Sequence, residues 1–389
     1  MGLTVGVVGL GRIGAFHADT LDAMPGVDTL LVTDPNPAAV DSAITRLGSA
    51  QAVSDTAALL RADIDALVIA SATPTHADLI ERGVAAGVPT FCEKPIALSL
   101  TDSVELARRL GDPPVPVQVG YNRRFDPAMS AARAAVAAGD LGFVTTARST
   151  TLDPAPPPPE YIAASGGIFR DCAVHDFDVL RWVLDDDVIA VHAVGGNQGD
   201  PHFAHVGDVD TASILLTFAT GTIGVVSVTR YNGRGYDCRL ELHGSTDSVA
   251  AGWTADTPIR NLESTETFPD DRPFTFFMDR FAAAYRAELD AFRALAETYH
   301  AGTSTAGQPI SPCTVADAIE VALVAEAATR SAATGRPVRI DEVRPDGVPA
   351  PARTTTPTHD GTDTAPGPAG GPARQSPTTI RRTTARTTR

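Results

Sequence analysis

The chain has 389 residues, 43% of them hydrophobic, and it carries a net charge of −16 with an isoelectric point near 4.9. This length and apolar content predict two domains with separate cores. The acidic balance argues against a nucleic-acid partner, because binding to a phosphate backbone needs a basic surface.

The cysteines and the apolar segments indicate a cytoplasmic protein. Four cysteines are scattered without a CxxC pair, which is typical of reduced thiols and not of a disulfide or zinc framework. No apolar stretch approaches the roughly 18 residues that a membrane span needs. The first apolar segment lacks a basic lead-in, so we expect a strand there and not a signal peptide.

Residues 1–122 are predicted to form a Rossmann dinucleotide-binding domain. Short β-branched runs alternate with helix-period segments, a rhythm that predicts a parallel sheet with crossover helices. The predicted strands are Thr4–Val8, Thr29–Thr33, Ala66–Ala70, Val88–Cys92 and Val115–Val119.

A glycine motif directly follows the first predicted strand and opens a helix. Its residues are Gly9, Leu10, Gly11, Arg12, Ile13 and Gly14. Such glycines permit a tight turn and let backbone amides approach a pyrophosphate at the helix N-terminus. Asp34 ends the second strand, where a carboxylate binds the adenine-ribose diol and repels a 2′-phosphate. The pattern predicts NAD and disfavours NADP; the alternative is a glycine turn that binds nothing.

Further polar residues are predicted at the carboxyl edge of this sheet, where open parallel sheets bind ligands. Thr73 and His76 follow the third of the five strands listed above and are expected to line the cofactor. For His76 the alternative is a solvated residue in the first turn of a helix. Glu93 and Lys94 follow the next strand, and we place Glu93 among the cofactor-binding residues.

Lys94 is the only lysine of the chain; every other Lys/Arg position is an arginine. A partly buried lysine can share its proton with a substrate, whereas arginine keeps its charge at any working pH. We therefore predict a catalytic role for Lys94. The alternative is that a sequence rich in Ala, Gly, Pro and Arg has retained one lysine by chance.

Residues 123–345 are predicted to form an α+β domain with a large, mostly antiparallel open sheet. Its strands are predicted at Thr211–Phe218, Thr222–Thr229 and Cys238–His243, and its helices at Asp171–Leu184, Phe281–His300 and Thr314–Thr334. Ser311 and Pro312 are expected to supply the cap and first turn of the last helix, which is free to pack back on the first domain. Residues 346–389, rich in Thr, Pro, Gly and Arg, are predicted to be a disordered tail, with a docking or nucleic-acid arm as the less favoured alternative.

Asp171 and His175 stand four residues apart in a segment of helical spacing, which would put them on one helix face. A neutral imidazole is a suitable proton acceptor, and a nearby carboxylate can orient it. Two alternatives stay open: a metal site that includes Cys172, and a purely structural pair.

Together these motifs indicate a protein family. The chain resembles the Gfo/Idh/MocA oxidoreductases over about residues 3–345, and most closely the inositol 2-dehydrogenases among them. The resemblance is carried by the segments 9–14, 93–95 (Glu-Lys-Pro), 120–127 (Gly-Tyr-Asn-Arg-Arg-Phe-Asp-Pro), 153–157 (Asp-Pro-Ala-Pro-Pro) and 166–178.

The resemblance implies a catalytic set of Lys94, Asp171 and His175. It further implies a dimer or tetramer packed through the open sheet and a cis bond between Lys94 and Pro95. The side chains expected to contact the substrate are Lys94, Asn122, Arg123, Asp153 and Tyr236. For Arg123, with Arg124, the alternative is a surface pair that neutralises an acidic domain.

The expected reaction is oxidation of a secondary alcohol on a cyclic polyol resembling myo-inositol. His175 accepts the hydroxyl proton while hydride leaves for NAD, Lys94 stabilises the alkoxide, and Asp171 holds the pair; Lys94 as the formal base is the other assignment. Competing functions are a sugar or keto-sugar dehydrogenase, an NAD-dependent glycosidase without net redox change, and a non-catalytic NAD-binding regulator.

Overall fold

The computed structural model describes residues 2–263, 265, 267–269, 272–302 and 311–348. The predicted tail lies outside the described residues from position 349 onward. Within the described ranges, no helix is long and apolar enough to cross a membrane.

The first sheet has six parallel strands in the order β3-β2-β1-β4-β5-β6. Its elements are β1 (Leu3–Val8), α1 (Arg12–Asp22), β2 (Val27–Thr33), α2 (Pro37–Arg46), β3 (Ala50–Ala52), α3 (Thr56–Arg61), β4 (Ala66–Ile69), α4 (His76–Ala85), β5 (Thr90–Glu93), α5 (Leu100–Leu110) and β6 (Val117–Gly120). This order is that of the Rossmann fold. All five predicted strands are present, and β3 is an additional three-residue edge strand.

The strand order reverses between β1 and β4, which creates the crevice where such sheets bind nucleotides. β4 is buried along its whole length, as a central parallel strand covered by helices on both faces must be. The carboxyl ends of β1, β4 and β5 therefore lie side by side, and they carry Gly9, Thr73 and Lys94.

The second sheet has seven strands in the order β12-β11-β7-β10-β9-β8-β13. The elements of this half are α6 (Pro127–Ala137), β7 (Val144–Leu152), α7 (Pro159–Ala164), α8 (Ile168–Asp171), α9 (Val174–Leu184), β8 (Val188–Gly196), α10 (His202–His205), β9 (Thr211–Phe218), β10 (Ile223–Thr229), β11 (Asp237–Gly244), β12 (Ser248–Ala251), α11 (Phe277–His300), α12 (Val315–Thr334) and β13 (Val338–Arg339). β7 and β10 pair in parallel, and the other described pairs are antiparallel. The predicted fold class, α/β followed by α+β with a mostly antiparallel sheet, is confirmed.

Two helix boundaries differ from the prediction. The helix expected over 171–184 is interrupted at Cys172 and Ala173, between α8 and α9. The last helix begins after Thr314, whose side chain forms a reciprocal capping box with Asp317. The expected cap at Ser311 and Pro312 is therefore wrong, because the Thr-x-x-Asp pair satisfies the first-turn amides.

Residues up to position 349 form one compact unit that contains both sheets. α11 completes the core of the first sheet: the Phe292 ring lies 5.7 Å from that of Phe91, and Tyr285 meets Phe16 at 5.5 Å. α12 contacts α5 of the first half and β8 of the second. The two long helices thus tie the halves together, and the last helix packs back on the first half as the sequence allowed.

Candidate active site

Two glycines of the loop after β1 permit close backbone approaches, and a third leaves the start of α1 open. Gly9 has a φ of +93°, and a Cβ there would lie 2.5 Å from the backbone of Ser71. A Cβ on Gly14 would lie 2.0 Å from the carbonyl oxygen of Gly9, so α1 can start this close to β1 only with glycine. Gly11 faces open space and caps α1 without a side-chain hydrogen bond. The first-turn amides, those of Arg12 and Ile13 included, are therefore presented outward, as an anion site requires.

Asp34 lies beside this loop at the end of β2. Its Oδ2 accepts a hydrogen bond from the Leu10 amide at 2.6 Å, and its Oδ1 accepts one from the Asn36 amide at 2.7 Å. These bonds fix the carboxylate next to the outward-facing amides. A dinucleotide on the loop would meet this carboxylate with its adenine ribose.

Thr73 and His76 have different environments. Thr73 is half-buried and lines a small cavity together with Pro95, Tyr121 and Val174. His76 is 2% exposed, and its two ring nitrogens lie 2.8 Å from the carbonyl oxygen of Pro95 and 3.0 Å from that of Ser71. His76 therefore joins two strand-end loops from inside the protein. This geometry contradicts a solvated histidine, and the cofactor contact of His76 stays a prediction.

Lys94 extends from the end of β5 to the second half of the molecule. Its Nζ donates to the carbonyl oxygen of Asp171 at 2.9 Å and lies 3.2 Å from Asp171 Oδ1. The Lys94 side chain is 15% exposed, and the bond to Pro95 is cis, as expected. The sequence-predicted pair of Lys94 and Asp171 is thus brought together across the two sheets.

Asp171 is the centre of the polar cluster. Arg230 donates to its Oδ2 at 2.7 Å, and the Tyr161 hydroxyl donates to its Oδ1 at 2.9 Å. Burial acts to raise the pKa of Asp171, but Lys94 and Arg230 outweigh it and hold the pKa below the usual range. Asp171 is therefore an ionised carboxylate shared by two cations.

His175 lies in the first turn of α9, half-buried, with its ring 6.0 Å from that of Tyr121. Burial and the charges of Lys94 and Arg123 lower its pKa well below 6.5, against the opposing effect of Asp171. The imidazole is therefore neutral near pH 7. Among the described residues no hydrogen bond joins it to Asp171, because the break after α8 turns that carboxylate towards Lys94. The expected orientation of His175 by Asp171 is not seen.

Among the expected substrate residues, Asp153 is partly exposed, whereas Asn122 and Tyr236 are buried. Asp153 follows β7, and its Oδ2 accepts from Arg230 at 2.8 Å; its side chain is 20% exposed. Asn122 and Tyr236 are 3% and 4% exposed, and Tyr236 packs against the Phe281 ring. All three lie at strand ends or turns, and Asp153 joins the Lys94 cluster through Arg230.

Arg123 differs from the sequence prediction. It is 2% exposed, and its guanidinium bonds Asp176 at 2.9 Å and the Thr151 hydroxyl at 2.8 Å. Its expected substrate contact finds no support in this geometry, because the donors are used inside the protein. Arg124 is also buried and forms a bidentate pair with Asp178, so the alternative of a surface pair is wrong.

Glu93 has internal partners as well. Its Oε1 lies 2.7 Å from His17 Nε2, and its Oε2 accepts from the Lys94 amide at 3.2 Å. The carboxylate thus braces the strand end that carries Lys94, and its cofactor contact stays a prediction. Among the described residues no group of His, Cys, Asp or Glu is arranged to hold a metal ion, so the metal alternative gains no support.

Comparison with known proteins identifies the family. Residues 3–121 match the model described as an oxidoreductase family with an NAD-binding Rossmann fold, and residues 129–250 match the Gfo/Idh/MocA C-terminal domain. An inositol 2-dehydrogenase of Rhizobium meliloti is 36% identical over 340 residues, which cover 87% of this chain and 100% of that protein. The chain belongs to the Gfo/Idh/MocA family of oxidoreductases.

Two further matches extend over most of this Gfo/Idh/MocA member. A myo-inositol dehydrogenase of Streptomyces leeuwenhoekii is 37% identical over 339 residues, 86% of this chain and 98% of that protein. A scyllo-inositol dehydrogenase from Lactobacillus casei, solved with bound NAD(H) and scyllo-inositol, aligns with a TM-score of 0.74 at 26% identity, covering 88% and 100% of the two chains.

The residues of this Gfo/Idh/MocA chain fit its cofactor, NAD. The open side of Gly11 and the uncapped amides of α1 suit the pyrophosphate, and Asp34 suits a ribose diol. The residues that fit NAD lie at the carboxyl edge of the first sheet, where Lys94 follows β5.

Two residues of the cluster were missed by the sequence analysis, Arg230 and Tyr161. Arg230 directly follows β10, much as Lys94 follows β5. That position at a strand end was the available signal. By sequence alone, a single arginine among thirty with no motif around it cannot be distinguished from a solvent-exposed arginine.

Proposed function

We propose that the chain oxidises a secondary ring alcohol of an inositol to a ketone, with NAD as hydride acceptor. The observation that carries the proposal is the contact of Lys94 with Asp171 across the two sheets, beside a neutral His175 and at the nucleotide edge. An ionisable amine, a neutral imidazole and a fixed carboxylate are the groups that proton removal from an alcohol requires.

NAD supplies the redox step by accepting hydride at C4 of its nicotinamide ring. The chain handles the proton. His175 is neutral near pH 7, so it can accept the hydroxyl proton as the carbinol carbon loses hydride. Its buried Nδ1 has no partner among the described residues.

Lys94 stabilises the developing alkoxide with its ammonium group. Asp171 receives that ammonium through both its carbonyl and carboxylate oxygens, so the amine is held in one orientation. The alternative assignment makes Lys94 the formal base. Because the ionisations of coupled groups are linked, a measured titration belongs to the pair and not to either residue alone.

An inositol is the proposed substrate because relatives that match nearly their whole length bear inositol dehydrogenase names. A ring dense in hydroxyls needs several convergent hydrogen bonds, and unpaired site groups would reject poorer ligands. We propose that Asp153, Asn122 and Tyr236 supply them. Arg123 acts behind them, through the charge that it places near His175.

A panel of cyclitols and sugars, each with NAD and NADP, tests the function. The expected result is NADH absorbance with myo-inositol or scyllo-inositol and weak activity with NADP. A sugar or keto-sugar dehydrogenase would respond to aldoses instead. An NAD-dependent glycosidase would release sugar from glycosides without accumulating NADH.

We further propose a homodimer or homotetramer that packs through the outer face of the second sheet. Val194, Leu215 and Ile223 are 64%, 49% and 49% exposed on that face, where Val194 pairs with Ser213, Leu215 with Val225 and Ile223 with Thr217. Such an apolar patch on a sheet is typical of an interface. A cytoplasmic location is proposed on the four free cysteines, all of them buried thiols.

A further inference from the structure

Arg230 enters the cluster from the only parallel pair of the described second sheet. β7 and β10 align Leu152 with Thr229, so the next residues, Asp153 and Arg230, leave the sheet at the same end. The Asp153 amide donates to the Thr229 carbonyl at 2.9 Å, and the Arg230 amide donates to the Asp210 carbonyl at 2.8 Å. The backbone therefore fixes where this guanidinium starts.

The guanidinium of Arg230 spans two carboxylates from different elements. Nη1 donates to Asp153 Oδ2 at 2.8 Å, and Nη2 donates to Asp171 Oδ2 at 2.7 Å. A planar fork can bridge two acceptors in this way, whereas a lysine ammonium is a single point charge. The same side chain thus sets the positions of two carboxylates, the proposed catalytic Asp171 and the proposed substrate residue Asp153.

The oxygens of Asp171 are divided between the two sides. Oδ2 is bonded to Arg230, while Oδ1 receives the Tyr161 hydroxyl and lies 3.2 Å from Lys94 Nζ. Arg230 therefore sets the rotation of the carboxylate and keeps Oδ1 directed at the lysine.

The burial of Arg230 is costly, which argues for a role beyond stability. The residue is 5% exposed, and its Nε is buried without a hydrogen-bond partner among the described residues. Buried ion pairs rarely stabilise a fold more than apolar residues of equal size, and an unpaired buried donor costs further free energy.

We infer that Arg230 is a positioning residue: it orients Asp171 for Lys94 and holds Asp153 at the substrate side. This inference rests on the proposed function, since it assigns a part in that reaction. Its guanidinium is bonded to both carboxylates, so we infer that it acts through them.

The charged groups around Asp171 determine how the loss of Arg230 would change the pKa of that carboxyl group. The groups that face this carboxylate are Lys94 from β5, Arg230 from β10, Tyr161 from α7, Asp153 from β7 and His175 from α9. Without Arg230, Lys94 is the cation left on Asp171, and Asp153 loses the guanidinium that it is bonded to. Burial, which acts to raise the pKa of Asp171, is then opposed by one cation and no longer by two, so that pKa rises above the range of an ordinary aspartate.

The single lysine makes this measurable without any substrate. Reductive methylation with ¹³C-formaldehyde labels only Lys94 and the N-terminal amine, and a Lys94→Arg sample identifies the second signal. The methyl shift of Lys94 reports protonation of its counter-ion. We expect a flat curve between about pH 4.5 and 8 for the wild type, and an acid inflection in that range for Arg230→Gln.

Arg181→Gln is the matched control. Arg181 is 10% exposed on its side chain and bonds one carboxylate, Asp187, at 2.6 Å, outside the Lys94 cluster. It is expected to show the wild-type curve. With an inositol as substrate, Arg230→Gln should lower kcat about 100-fold with NAD affinity unchanged, whereas Arg181→Gln stays within about twofold.

The outcomes separate this inference from the proposed function. A folded Arg230→Gln protein with the wild-type titration curve would overturn the inference. If Arg230→Gln does not fold, Arg230→Lys is measured in its place. A kcat at least about tenfold below that of the wild type supports the need for a guanidinium that bridges both carboxylates, and a wild-type kcat overturns the inference. Absence of turnover with every cyclitol, together with the acid inflection, would refute the substrate and leave Arg230 in its role.

Discussion

At the scale of single residues, the chemistry depends on one amine. Lys94→Arg keeps a positive charge beside Asp171 but cannot share a proton at working pH. We expect kcat to fall on the order of 100-fold or more with NAD affinity unchanged, measured by NADH absorbance and by cofactor titration. Turnover at the wild-type rate in this variant would remove the lysine from the mechanism.

The low pKa of His175 predicts the pH dependence of the reaction. Because the folded-state pKa lies well below 6.5, the imidazole stays neutral as the pH falls through 6.5. The profile of kcat/KM should therefore show no loss of activity centred near pH 6.5. An acid limb at that pH that disappears in His175→Gln would show that the imidazole titrates normally.

Asp34 is expected to set the choice of cofactor. Its carboxylate is fixed by the Leu10 and Asn36 amides, so it repels a 2′-phosphate from a defined position. Asp34→Ser should weaken NAD binding and narrow the preference for NAD over NADP at least about tenfold, measured as the ratio of kcat/KM values. An unchanged ratio would place the ribose elsewhere.

At the scale of elements, α11 buries a carboxyl group against the first sheet. Glu288 is fully buried, and neither carboxyl oxygen has a hydrogen-bond partner among the described residues. Burial, with the charges of Glu93 and Asp178, raises its pKa well above 4.5. The side chain is therefore neutral in the folded protein over a range where the unfolded chain ionises.

The sign of this effect gives a stability prediction. A raised folded-state pKa means that the folded protein binds a proton that the unfolded chain has lost, so the unfolding free energy falls as pH rises above about 4.5. The slope is about 1.4 kcal/mol per pH unit until the folded group ionises. Glu288→Gln removes this slope. The Tm of the variant, relative to that of the wild type, should therefore rise as the pH rises.

Glu297→Gln is the control on the same helix. Glu297 is 45% exposed on its side chain and pairs with Arg293. Its Tm should differ from the wild type by an amount that does not grow with pH. Parallel Tm curves for the wild type and Glu288→Gln would show that Glu288 is ionised in the fold.

Local sequence signals predicted elements where they were strong. The buried runs of β1 and β4 and the alternation in β9 identified strands correctly, and the position after β5 identified the lysine that meets Asp171. β7, with the sequence VTTARSTTL, was missed because its polar residues give no apolar run. The strand is stabilised by its central place between β10 and β11, which only the complete sheet supplies.

The partners of charged side chains could not be predicted. Arg123 carries the same local signal as an exposed arginine, and Asp176, which neutralises it, lies 53 residues away. The same holds for His76, whose ring nitrogens meet two loop carbonyls. Long-range pairing of this kind is a property of the tertiary structure and leaves no periodicity in the sequence.

At the scale of the whole molecule, the outer face of the second sheet is the proposed interface with a partner subunit. Leu215→Glu would place a carboxylate in the proposed interface, where desolvation of the charge opposes association. We expect a smaller assembly by light scattering after size-exclusion chromatography. Leu262→Glu, at a position 81% exposed away from strand pairing, is the control that should leave the assembly unchanged. Identical masses for all three proteins would place the interface elsewhere.

The architecture as a whole brings together an amine that follows β5 and an imidazole from α9 at the proposed cofactor edge. Transfer of hydride from an inositol carbon to NAD is what this arrangement is proposed to do. The direct measurement is a single incubation with NAD and inositol deuterated at its ring carbons, followed by mass spectrometry of the nucleotide. The account predicts NADH that carries one deuterium per molecule. Unlabelled NADH, or none above that of a Lys94→Arg sample, would contradict it.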